Sequence, residues 1–94
     1  MDGEQIAALK QQLKDEGYNL YVYSYPGGMC FPSHSHDHDT LHVLLNGSMK
    51  ITMDGADFIL KPGQRFLISA NTIHAAEVLG EMPAVVLDAT LPHK

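Results

Sequence analysis

The sequence predicts an all-β domain, a sandwich or small barrel, preceded by one short helix. Two observations carry this. After Gly17 the chain alternates β-forming stretches with turn residues every eight to ten positions, the rhythm of an antiparallel sandwich or barrel. Before Gly17 the apolar residues recur at helical spacing. A chain of 94 residues holds one domain, because a second would leave neither half a usable core. Residues 1–17 are assigned to the helical segment and 18–94 to the barrel.

The helix is expected over residues 2–16. Asp2 with Gln5 three positions on has the pattern of a capping box, Ile6, Leu9 and Leu13 line one face, and Gly17 is the stop. Asn19–Tyr25 is rich in β formers and ends at Pro26-Gly27-Gly28. Strands are then expected over residues 29–36 and 41–45, with a turn at Asn46-Gly47. Residues 48–53 and Ala56–Leu60 flank Asp54-Gly55, a strong two-residue hairpin signal. Residues 64–69, 73–79 and 84–89 complete a set of eight or nine strands, separated by Pro62-Gly63, Ala70-Asn71-Thr72 and Gly80-Glu81-Met82-Pro83.

Eleven acidic residues stand against six basic ones, a formal charge of −5. With no Lys/Arg stripe to neutralise phosphates, nucleic acid is not an expected partner. No apolar run approaches the length that spans a bilayer, so no membrane partner is expected. The acidic start Met1-Asp2-Gly3-Glu4-Gln5 does not read as a secretory or transit peptide. Cys30 is the single cysteine and forms no internal disulfide. The expectation is a soluble cytoplasmic protein, and the small core favours a homodimer.

Function is read from the histidines. Of six, four fall within nine positions, His34, His36, His38 and His42, and His74 opens a later apolar run. Imidazole is the commonest protein ligand for transition metals. Two imidazoles at i and i+2 on a strand share a face, roughly 6–7 Å apart. By strand parity Cys30 and Pro32 fall on the face of His34 and His36. In the next strand Thr40, His42 and Leu44 share a face, with His38 at the turn between them. Ala75 and Ala76 leave space around the His74 ring. Sequence-distant ligands on a sheet-built interior meet the need for three or four converging groups. The alternative is a solvated polar loop, against which the run enters an apolar strand directly. His93, near the C-terminus, is expected to be exposed.

These residues resemble the two motifs of the cupin superfamily. Its first motif is a glycine, five residues, His-x-His, three or four residues, a glutamate, six residues and a glycine; here Gly28, His34-Ser35-His36, Thr40 and Gly47 keep that spacing. Its second is a glycine, five to seven residues, Pro-x-Gly, two residues and a histidine; here it reads Gly63, Ser69-Ala70-Asn71 and His74. The resemblance covers residues 19–90. It implies a single small cupin barrel, a double-stranded β-helix of jelly-roll type, with a divalent transition metal (Fe, Zn, Mn or Ni) held inside by His34, His36 and His74. Thr40 replaces the glutamate, so either His42 or His38 is expected to supply a further ligand. Parity favours His42, which serves otherwise as a base beyond the metal or as a core histidine. Asn71 replaces the glycine at a left-handed turn position that asparagine tolerates.

Three neutral imidazoles would leave the ion its full charge and a strong Lewis acidity. Cys30 and Arg65 are candidates to line a substrate pocket, against core packing for the first and a solvent-facing position for the second. Tyr21, Tyr23 and Tyr25 share a face that is either exposed, dimer-forming or packed under the helix. Met49, Ile51 and Met53 are expected in the core. Two functions follow. One is a metal-dependent enzyme acting on a small polar metabolite, a three-histidine dioxygenase by family resemblance, or an isomerase or hydrolase. The other is a non-catalytic module that binds or senses metal or a small molecule.

Overall fold

The computed structural model describes residues 1–92; His93 lies outside the described residues. One helix, α1 (Gly3–Asp15), precedes eight strands: β1 (Asn19–Tyr25), β2 (Cys30–His34), β3 (Thr40–Asn46), β4 (Met49–Met53), β5 (Ala56–Leu60), β6 (Arg65–Ile68), β7 (His74–Val78) and β8 (Ala84–Thr90). The helix begins as its sequence requires. The Gln5 amide donates to Asp2 Oδ1 at 2.8 Å, and the Asp2 amide donates to Gln5 Oε1 at 2.9 Å. It ends where the Tyr18 amide reaches back to the Leu13 carbonyl and that of Gly17 to Lys14.

The strands form two four-stranded antiparallel sheets, ordered β1-β8-β3-β6 and β2-β7-β4-β5. This is the jelly-roll arrangement expected from the sequence. Leu44, Met49, Ile51, Leu60, Ile68, Val78, Ala84 and Val86 fill the space between the sheets. The opposite faces of β3 and β8 present Leu41, Val43, Leu45, Leu87 and Ala89 to Leu13 of the helix. So β3 is buried on both faces, which is why it reads as a near-continuous apolar run. Among the described residues no helix is long and apolar enough to cross a membrane.

Turn chemistry sets the register. Asp54 and Gly55 both take positive φ, 54° and 75°, as a two-residue hairpin between Met53 and Ala56 demands. Gly47, at φ 83°, lies so close to the β7–β8 connection that a Cβ would sit 2.5 Å from the Pro83 carbonyl oxygen.

One irregularity matters for function. Cys30 pairs with Glu77 and Phe31 with Ala76, but His34 pairs with His74. Pro32 and Ser33 therefore face Ala75 alone, a β-bulge on an edge strand. Pro32 has no amide proton for the ladder, which explains its place. The extra residue exchanges the faces of β2 across the bulge. Phe31, not Cys30, shares the interior with His34.

Candidate metal centre

His34 is the last residue of β2, His36 lies two residues beyond it, and His74 is the first residue of β7. Their ring centroids are 4.2 Å (His34–His74), 4.9 Å (His34–His36) and 5.4 Å (His36–His74) apart. One ring nitrogen from each lies within 4.8 Å of the other two. Two nitrogens bound to one ion at ~2.1 Å are at most ~4.2 Å apart, so small side-chain rotations complete the site.

Local backbone prepares the donors. His34 Nδ1 lies 2.8 Å from the Pro32 carbonyl and His74 Nδ1 lies 2.9 Å from that of Thr72. A carbonyl only accepts, so each ring donates from Nδ1 and leaves Nε2 as a lone-pair donor for a cation. Burial, then the imidazoles of His34, His74, His38 and His42, hold His36 below the ordinary histidine pKa. The neutral form, the one that ligates, is favoured there. The loop carrying His36 is clamped to the β6–β7 turn: the Asn71 amide donates to the His36 carbonyl at 2.6 Å, and the Ala70 amide donates to Asp39 Oδ1 at 2.7 Å. Asn71 holds the left-handed conformation expected of it, at φ 63°. This donor set of three converging imidazoles fits a divalent transition ion.

The remaining candidates fall elsewhere. His42 stands outside the three-histidine group. Its Nδ1 is 2.6 Å from Asp88 Oδ1, and its Nε2 is buried with no hydrogen-bond partner among the described residues. The His38 ring is 5.9 Å from that of His36, and its Nδ1 lies 2.9 Å from Asp37 Oδ1. Thr40 is buried and lines an outer pocket with His36, His38 and His42. Cys30 is exposed and does not line the cavity, because the bulge turns it outward. Arg65 is exposed beside Val43 on the face opposite the interior, so it does not line the cavity either. The tyrosines do not pack under the helix, where Leu20 lies instead; Tyr23 and Tyr25 line the cavity.

That cavity has a volume of about 330 Å³. The three histidines and His42 meet an apolar wall of Phe31, Met49, Ile51 and Ile68. Asp88, which lines this cavity and holds His42, is not among the residues that the sequence singled out. Its signal was present: it is the one charge in the otherwise apolar Ala84–Thr90 stretch. Burial, then the Asp88 carboxylate and Tyr23, raise the Tyr25 pKa, keeping its phenol protonated beside the dyad.

The profile of the cupin domain family matches residues 21–90. The chain belongs to the cupin family. Comparison with curated proteins gives no match. Among solved structures, this cupin is similar to a cupin superfamily protein from Desulfitobacterium hafniense, at 26% identity and TM-score 0.71 over 83% of this chain and 70% of that one. A cupin-2 domain protein from Shewanella frigidimarina aligns at 17% identity and TM-score 0.67, over 81% and 72% of the two chains. KdgF from Halomonas sp. aligns at 19% identity and TM-score 0.65, over 84% and 83%. At those identities the last two share the fold alone. Within the family pattern, this cupin keeps the three histidines and lacks the glutamate, with Thr40 in its place.

Proposed function

We propose that this cupin holds one divalent transition ion on His34, His36 and His74 and uses its open face to bind and transform a small polar metabolite, as a three-histidine dioxygenase or a related metal-dependent enzyme. The observation that carries this is the convergence of three imidazoles, two of them with Nδ1 anchored to the carbonyl two residues earlier. When bound, the ion supplies Lewis acidity, with redox chemistry if it is iron. The chain does the rest. The anchored rings fix ligand direction, and Tyr25, Phe31, Met49 and Ile51 enclose the space beside them. A cavity near 330 Å³ admits a small metabolite.

A second reading has its own support. Thr40 removes the carboxylate of the family motif, which favours a non-catalytic module that senses metal or a small molecule. Metal analysis of protein grown with added metals tests the centre. About one equivalent per chain is expected, lost in His34→Ala and His74→Ala; no metal after supplementation overturns it. Oxygen uptake by anaerobically Fe(II)-loaded protein, offered small diketones, thiols and hydroxy acids, separates the readings. Uptake supports the enzyme, and binding without turnover supports the sensor.

A further inference from the structure

His42 and Asp88 face each other across the β3–β8 ladder, and Nδ1 lies 2.6 Å from Oδ1. An ionised carboxylate accepts hydrogen bonds and donates none, so the ring donates from Nδ1. In the uncharged ring Nε2 is then an acceptor. It is enclosed and unsatisfied among the described residues. Leaving a buried polar atom without a partner is costly, so the arrangement calls for a donor from outside the chain. His42 lines the inner cavity with His34, His36 and His74, and the outer pocket with His36 and His38. A ligand seated at the three histidines therefore shares the cavity with it.

We propose that His42 Nε2, held by Asp88, accepts a hydrogen bond from a hydroxyl of the bound ligand, and that the ligand class is a small hydroxy acid. This rests on the metal reading above. A divalent ion on three neutral imidazoles keeps its charge and favours a carboxylate. His42, lining the same cavity, offers an acceptor that selects an O–H on the ligand, and the apolar wall takes a short hydrocarbon remainder.

Cobalt(II) is the probe metal. Cobalt-loaded protein is titrated with glycolate and with methoxyacetate, followed by visible absorption. The two acids share a carboxylate and a neighbouring oxygen; only glycolate carries the O–H. Glycolate should bind at least ~10-fold tighter to the wild type. His42→Phe should level that ratio while cobalt affinity is unchanged, and His42→Gln, which keeps an acceptor oxygen, should restore part of it. Asp88→Asn can donate from its amide to Nδ1 and turn Nε2 into a donor, so preference should move toward methoxyacetate. A purely structural dyad would not shift that ratio. Nitrogen-15 spectra of the metal-free wild type should show His42 protonated at Nδ1 and bare at Nε2. A normal cobalt spectrum with the same ratio in wild type and both His42 variants overturns this inference alone. Loss of cobalt in His42→Phe also overturns it, by making His42 a ligand. Wild-type protein that takes up no cobalt overturns the metal centre and this inference with it.

Discussion

Thr40→Glu restores the family's carboxylate and should make stability depend on metal. Thr40 is 5% exposed, pairs with Ile68, and borders His36, His38 and His42. In metal-free protein a glutamate there loses hydration. Raising its pKa from ~4.3 to ~6–7 costs ~2–4 kcal/mol at neutral pH. The added methylene and carboxyl strain a packed position by ~1 kcal/mol or more. Taking ~3–5 kcal/mol together, at ~4–8 °C per kcal/mol for a domain this small, melting should fall by ~12–40 °C. With metal the carboxylate becomes a ligand and stays ionised. Metal at a hundredfold excess over its Kd adds ~2.7 kcal/mol, and the new ligand should tighten binding by ~10-fold, ~1.4 kcal/mol. Melting scans with and without Zn(II), and a competition titration against a chelating dye, measure both. Equal losses of melting temperature in the two scans, with unchanged affinity, would refute the placement of position 40 beside the ion.

Two further outcomes test site and scaffold separately. His36 is held below the ordinary imidazole pKa, so the unfolded chain takes up its proton first. Its contribution to metal-free stability is full above ~6.5 and declines as pH falls from there through the folded value. Metal affinity should fall over the same interval, because a protonated ring cannot ligate; affinity that is flat from pH 8 to 5 rules out histidine ligands. Gly47→Ala puts a side chain at φ 83° and 2.5 Å from the Pro83 oxygen. It should destabilise by ~2–4 kcal/mol while leaving metal affinity within about twofold, since Gly47 follows the end of β3 opposite Thr40. A melting temperature unchanged by this substitution would contradict the close approach.

Local chemistry made most of the architecture readable. Asp54-Gly55 announced its hairpin, Asp2 and Gln5 their cap, and Asn71 its left-handed turn, because each depends on neighbours in sequence. The positions of His34, His36 and His74 were legible from motif spacing. What escaped depends on register. Strict alternation along β2 put Cys30 beside His34, whereas the bulge at Pro32-Ser33 reversed the faces. Proline inside a strand is the visible warning of such a bulge. The pairing of His42 with Asp88 spans 46 positions, and only the alignment of β3 with β8 creates it. The alignment of β1 with β8 likewise decides that Tyr23 and Tyr25 look inward rather than under the helix.

The bulge has a mechanical consequence. Among the described residues strand β2 is an edge, bonded only to β7, and past the kink a single ladder pair remains, His34 with His74. An ion shared by these two residues and His36 would rivet that seam, supplying at the barrel's lip the cohesion that amide pairing lacks. Fraying of this corner and departure of the ion then become one equilibrium, so whatever starves the site of cation also loosens the wall that encloses its cargo.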